Sequence, residues 1–257
     1  MKTEIDRSFD DIAKKFHSNI YGTTKGKLRQ EVLMHHLTTT IPTLSDAGNR
    51  QLSILDAGGG TGVMTQAMSE LGHRVMLNDI SGNSLDIARK ALVNYSNIDY
   101  FAGPIQSISV KEKYDLVICH AVLEWLASPF EVLAKLEGLV KNGGYLSLSF
   151  FNRDAQRFGN ILYGNFDYVE NKLTLPRVVK LSPRNPLSPE EVIYKVEELP
   201  FNIIHKAGIR CFHDYLKEKG MQQSHFQQLK RLEIELGTSH PYLWFGKYFH
   251  LIAKKET

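Results

Sequence analysis

The run Ile54-Leu55-Asp56-Ala57-Gly58-Gly59-Gly60-Thr61-Gly62 constrains this chain more than any other part of it. An apolar segment delivers the backbone to a turn with four glycines in five residues, and a helix is expected to follow from Met64 to Leu71. Glycine tolerates positive φ and lets a ligand press against the main chain. A strand, a glycine-rich turn and a helix in that order are how open α/β sheets receive a ligand at their strand ends. By itself the turn also fits a dinucleotide loop or a purely structural bend.

The acidic residues around the turn narrow the choice. A dinucleotide fingerprint cradles a pyrophosphate on the helix N-terminus, and a carboxylate at Asp56, just before the glycines, would repel it. The same carboxylate suits the cationic amino group of S-adenosylmethionine (SAM), directly or through water. Asp79 ends the next expected strand, His73 to Asn78, about 20 residues on, where an acceptor for ribose hydroxyls belongs. The plainer alternative makes Asp56 and Asp79 caps of the helices that follow them.

Downstream, strand and helix patterns alternate: a helix over 84–92, a strand over 99–102, the strongly strand-like Tyr114–His120, a helix over 129–140, a turn at Asn142-Gly143-Gly144 and a strand over 145–151. That alternation argues for a doubly wound, Rossmann-like α/β fold around a mostly parallel sheet. Phe9, Ile12, Ala13 and Phe16 carry a helical period in an N-terminal segment spanning 1–45, with a second helix beginning near Lys25. The ligand-binding core occupies 46–151. The Asn-, Pro- and aromatic-rich stretch 152–200 reads as an insertion or cap, and 201–257 returns to the sheet with strands near 201–211 and 245–254.

Strand ends are where ligands sit in such sheets, so His120, at the end of the fourth strand, is placed between cofactor and substrate. Ala102-Gly103-Pro104-Ile105 closes the third. No acidic residue stands between Asp99 and Glu112, so contacts to an adenine there are expected from the backbone of Gly103 and Pro104 and from apolar groups. Glu124 and Trp125 open the next helix as packing residues.

Composition excludes several classes. The two cysteines, Cys119 and Cys211, build no disulfide framework, and no Cys-x-x-Cys or His/Cys cluster suggests zinc, so no metal is expected. No run approaches the roughly 20 apolar residues of a membrane span, and the N-terminus has no signal-peptide pattern; a cytoplasmic protein without membrane contact is expected. Residues 52–150 carry 10 acidic and 7 basic side chains, whereas the flanks carry 18 and 24. The basic excess therefore lies outside the core, a weak pointer to an anionic partner.

Taken together, Phe9-Asp10-Asp11-Ile12-Ala13, Asn19-Ile20-Tyr21-Gly22-Thr23-Thr24-Lys25-Gly26 with Leu28-Arg29-Gln30, the Leu55–Gly60 turn, His120–Trp125, Gly164-Asn165-Phe166-Asp167-Tyr168-Val169 and Phe212-His213-Asp214-Tyr215-Leu216 closely resemble the bacterial tRNA 5-carboxymethoxyuridine methyltransferases over nearly the whole chain. The resemblance implies a class I methyltransferase with a seven-stranded sheet, an N-terminal helical lid and a cap insertion. It implies SAM as cofactor, S-adenosylhomocysteine as product, and SAM contacts at Arg29, Gly58, Gly59, Asp79, the Gly103-Pro104 turn and His120. The implied reaction esterifies the carboxylate of 5-carboxymethoxyuridine at wobble position 34 in the tRNA anticodon stem-loop. The residues leave a small-molecule carboxyl or N-methyltransferase as the alternative.

A carboxylate nucleophile is already ionised at neutral pH, since its reference pKa is roughly 4. No general base is then required, and the site has to align and desolvate an anion. Candidates for holding it are His120, Tyr21 and Asn152, with Tyr21 as part of the lid. On the RNA side stand Arg153, Asn165 and Tyr168, and Arg177 and Lys180 in a stretch, 171–189, without acidic residues. Such a stretch tracks phosphates or is an ordinary solvated loop. Phe166 and Tyr168 are placed to stack on an unpaired base. Lys14, Lys15, Lys25 and Lys27, and separately His205, Lys206 and Arg210, are either an extension of that footprint or solvated surface.

Overall fold

The computed structural model describes residues 6, 10, 22–46, 48, 50–173 and 185–257. The segments naming Phe9, Ile12, Ala13, Phe16 and Tyr21, and the basic stretch with Arg177, Lys180 and Arg184, lie outside the described residues. Helix α1 (Thr24–Thr40) is followed by β1 (Ser53–Ala57), α2 (Val63–Glu70), β2 (Arg74–Asp79), α3 (Gly82–Ala91), β3 (Ile98–Ala102), β4 (Tyr114–His120), α4 (Pro129–Leu139) and β5 (Val140–Phe151). Then come α5 (Arg153–Leu162), α6 (Phe166–Glu170), α7 (Pro189–Glu197), β6 (Phe201–Ile209), α8 (Met221–Ser224), α9 (Phe226–Leu236) and β7 (Tyr248–Lys255).

The seven strands form one sheet in the order β3-β2-β1-β4-β5-β7-β6. The pairs among β1 to β5 are parallel, and β7 runs antiparallel to both β5 and β6. The chain winds outward from β1 in one direction to β3 and in the other through β4, so the gap between β1 and β4 at their carboxyl ends is the topological switch point. The apolar runs of β1 and β4 are continuous because both faces are covered. Leu55 and Val117 face one core with Leu133, Leu136 and Val192; Ile54, Leu116 and Ile118 face a second with Leu37, Met68 and Ile252.

Local chemistry sets the helix starts. Thr23 caps α1 by accepting from the Gly26 amide, and Pro42, just beyond, marks its end. Ser81 caps α3, and Pro129 and Pro189 occupy first-turn positions of α4 and α7, where a missing N–H costs nothing. Residues 152–200 are more regular than their composition indicated. They hold α5, α6 and α7, and α7 buries Val192 and Val196 against the sheet. The aromatics that disguised α5 lie on its exposed side, among them Phe158 and Tyr163. No helix among the described residues is long and apolar enough to cross a membrane.

Candidate active site

A cleft of about 350 Å³ opens at the switch point. Its lining includes each cofactor contact expected from the sequence: Arg29, Asp56, Gly58, Gly59, Asp79, Gly103, Pro104 and His120. The volume falls within the ordinary range for small-ligand clefts.

The glycine turn is tight for reasons that involve its neighbours. A Cβ on Gly59 would stand 2.5 Å from the Asp56 carboxyl and 2.5 Å from Leu77 Cδ1, and Gly58 has φ +70° with Val122 2.6 Å from where a Cβ would be. Neither position accepts a side chain, so the cleft floor there is bare backbone. The Gly59 amide donates to the Asn78 carbonyl (3.0 Å), and the Gly60 amide donates to Asp79 Oδ2 (2.9 Å). The turn is thereby fastened to the end of β2.

Asp56 is 2% exposed and accepts from the Thr65 hydroxyl at 2.6 Å. Burial pushes its carboxyl up to about 6. Asp79 also accepts from the Ser81 amide through Oδ1 (2.7 Å), and burial raises its pKa too. Two carboxyls that burial makes costly to ionise are relieved by a ligand that brings a cation to one and hydroxyl donors to the other. SAM brings both, a pyrophosphate neither, so the donor set fits SAM.

At the β3 end, Asn78 Nδ2 donates to the carbonyls of Phe101 (3.2 Å) and Gly103 (2.8 Å), shaping the Gly103-Pro104 wall. A carboxylate does reach this end, from far away in sequence. Asp6 lines the cleft, accepting from Gln106 Nε2 (3.0 Å) and from the Ala127 amide (2.9 Å). Asp10 accepts from the Ser81 hydroxyl (2.6 Å) at the start of α3. Asp6 was invisible to motif spacing because the contact spans a hundred residues. Thr61, Gln106, Phe151 and Tyr248 line the cleft and were likewise missed.

His120 Nε2 shares a hydrogen bond with Ser147 Oγ (2.8 Å), which bonds His250 Nε2 at 2.9 Å. Burial, then the Arg29 charge, lowers the His120 pKa to about 3, so the ring is neutral. Arg29 and Arg210 lie on the Tyr248 ring, their guanidinium carbons 5.2 and 5.7 Å from its centroid, and Lys247 Nζ lies 5.0 Å from that of Phe151. Of these cations Arg29 lines the cleft, and Arg210 is paired with Asp214 at 2.7 Å. Glu124 is buried at 1% exposure, and burial pushes its pKa up to about 7.

Asn152 takes a different position from the one expected. It is fully buried and caps α5, its Oδ1 accepting from the amides of Asp154 (2.9 Å) and Ala155 (3.2 Å). Its Nδ2 donates to the carbonyls of Trp244 (2.9 Å) and Gly246 (3.0 Å). With its donors and acceptor engaged, it has nothing left to hold a substrate carboxylate. Arg153 is half-exposed and approaches Glu191 at 4.0 Å. Asn165 and Tyr168 line a separate shallow depression with Gln156 and Phe166; Gln156 donates to the Tyr168 hydroxyl, and Asn165 to Asn160.

Comparison with known proteins agrees with this geometry. The methyltransferase domain family matches residues 55–148. The chain is 40% identical over 255 residues to the tRNA 5-carboxymethoxyuridine methyltransferase of Escherichia coli strain K12, covering 97% of both chains. It is 33% identical to the ubiquinone biosynthesis O-methyltransferase of Bordetella avium over 108 residues, 41% of this chain and 45% of that one. Among solved structures, the magnesium protoporphyrin IX methyltransferase of Synechocystis PCC 6803 with bound S-adenosylhomocysteine superposes with a TM-score of 0.63 at 17% identity, covering 96% of each chain. That likeness is one of fold.

Proposed function

We propose that this chain, which belongs to the tRNA 5-carboxymethoxyuridine methyltransferase family, methylates the carboxylate of 5-carboxymethoxyuridine at tRNA position 34 to the methyl ester. Membership makes it a SAM-dependent methyltransferase with the class I fold. The observation that carries the substrate assignment is the extent of the similarity. It runs over 97% of the chain, well beyond the 55–148 core shared with methyltransferases of other substrates.

When bound, SAM supplies an electrophilic methyl group on a sulfonium. The protein's part is to place and neutralise. Asp56 takes the amino group, Asp79 the ribose hydroxyls, and Arg29 the carboxylate of the methionine moiety. The Gly103-Pro104 wall and Asp6 bound the adenine end. His120, neutral, serves in alignment and carries no proton in the reaction. The substrate carboxylate needs no base and gains from nearby positive charge. Arg29 lines the cleft and is the cation placed to supply that charge, whereas Arg210 is engaged by the Asp214 carboxylate through two hydrogen bonds of 2.7 Å.

The wobble base reaches the site unpaired, and unpaired bases are read by aromatic stacking. Phe166 is 59% exposed and lines the Asn165–Tyr168 depression, and Tyr163 is 60% exposed. We assign Arg153, Asn165, Tyr168, Arg177 and Lys180 to the anticodon stem-loop footprint, 1–45 to a lid contributing Tyr21, and 152–200 to the substrate side. Work on tRNA puts the enzyme in the cytoplasm.

The decisive test is nucleoside mass spectrometry of tRNA carrying unesterified 5-carboxymethoxyuridine after incubation with protein and SAM. Gain of one methyl on that nucleoside is expected. No gain, with SAM binding confirmed, would move the substrate to a small carboxylic acid or amine.

A further inference from the structure

We propose that His36, His205 and His250 form a binding site for one divalent transition-metal ion of the zinc class, which ties α1 to the last two strands of the sheet. Nothing in the assigned reaction uses these residues, and the inference stands whatever the methyl acceptor proves to be.

The three rings come from three elements: His36 from α1, His205 from β6 and His250 from β7. The β6–β7 register pairs Ala207 with His250 and His205 with Ile252, so His205 and His250 lie diagonally on one face. Leu33 and Leu37, either side of His36, are buried as α1 packs over that sheet. One ligating nitrogen from each ring lies within 4.8 Å of the other two. Tetrahedral coordination with bonds of about 2.0 Å sets about 3.3 Å between ligands, so the rings have to close by up to about 1.5 Å on the ion.

Burial makes this more than a surface coincidence. His36 is 2% exposed and His250 is fully buried. Both ring nitrogens of His36, Nε2 of His205 and Nδ1 of His250 are buried and have no hydrogen-bond partner among the described residues. A buried polar atom without a partner costs about 1–3 kcal/mol, and the three rings of this cluster carry four such nitrogens. Burial lowers the pKa of His36 to about 3 and of His205 to about 4, and that of His250 well below its usual value. The rings therefore present lone pairs and no charge, the form in which imidazole binds metal. Among the described residues no carboxylate or thiolate joins the cluster, so an all-imidazole set suits zinc, cobalt, nickel or copper rather than magnesium or calcium.

The surroundings of His250 agree. A metal-bound histidine normally donates its second ring N–H to a fixed partner. With Nδ1 on the metal, His250 Nε2 donates to Ser147 Oγ, and the Ser147 hydroxyl then donates to His120 Nε2. Three protein ligands leave a fourth position for water, and His205, only partly buried, gives the ion its path in.

The test uses tag-free protein dialysed against chelator and titrated with Zn²⁺ in competition with a chromophoric chelator, with Co²⁺ absorption as a second readout. Calorimetric SAM binding confirms that each variant is folded. One equivalent of Zn²⁺ should bind, raise Tm, and lose at least 100-fold in affinity in both His205→Ala and His36→Leu, while His35→Ala, at an exposed neighbour, binds normally. Absence of stoichiometric Zn²⁺ binding by the wild-type chain would overturn the proposal. So would unchanged affinity in His205→Ala.

Discussion

Asp56 and Asp79 do different work although burial raises both carboxyls. Asp79 holds two amides with separate oxygens, and each oxygen keeps a lone pair for a ribose hydroxyl. Asp79→Ala removes charge-assisted hydrogen bonds worth about 1.5–3 kcal/mol each, so calorimetry should show SAM affinity falling at least tenfold; unchanged affinity would refute the ribose assignment. Burial pushes the Asp56 carboxyl up to about 6. A bound ammonium group stabilises only its ionised form, so SAM affinity should be constant above about pH 7 and fall toward tenfold per unit below 6. In Asp56→Asn the affinity should be lower at neutral pH and lack this acid limb. Glu124 gives the opposite kind of signal, one in stability. Its folded pKa of about 7 lies above the unfolded value near 4.5. Its contribution is intact below pH 4.5 and is lost as pH rises through 7, because only the unfolded chain ionises it freely. Glu124→Gln should therefore match the wild type near pH 4.5 and exceed it in urea-melt stability at pH 8, by up to about 3 kcal/mol.

Among the elements, those of the ligand core and the last two strands, β6 and β7, were legible, and the helices between β5 and β6 were not. The two-faced apolar runs of β1 and β4 and the proline and serine starts of the helices are local signals, and Tyr114–His120 appears with the limits read from sequence. The expected cofactor residues at the strand ends and the glycine turn fall in the cleft because those features fix position without long-range information, whereas Arg29, on α1, was expected from the resemblance alone. Asp6, Tyr248 and the histidine cluster were not legible, since each depends on segments brought together across a hundred or more residues. Asn152 shows the limit most clearly. Its place after β5 read as a site position, yet the same place makes it the cap of α5 and the clamp on the 244–246 turn. Asn152→Ala loses a cap worth about 1 kcal/mol and leaves two buried carbonyls undonated at about 1–3 kcal/mol. A thermal melt should show Tm lower by roughly 5–12 °C, with the KM for tRNA unchanged at a permissive temperature. A raised KM at wild-type Tm would restore the catalytic assignment.

At the scale of the whole molecule, charge is partitioned. The 52–150 core has three more acidic than basic residues, and the flanks have six more basic than acidic. The acidic centre matches a cationic cofactor that must be buried, and the basic flanks match a polyanion that must be held outside it. Association with RNA through such flanks releases condensed counterions, and the logarithm of the binding constant falls linearly with the logarithm of salt. The cofactor step exchanges few ions and should respond weakly. Changing Arg177 and Lys180 together to Ala removes two charges from the stretch that lacks acidic residues. If both neutralise phosphates, filter binding across a salt series should give a slope smaller by about 1.5, with lower tRNA affinity at every salt and SAM affinity unaltered. An unchanged slope would take this stretch out of the footprint and leave the contacts to the Arg153–Tyr168 surface. A loss of SAM binding in the same variant would mean that the stretch supports the cofactor cleft, in which case the division between acidic centre and basic periphery does not separate the two ligands.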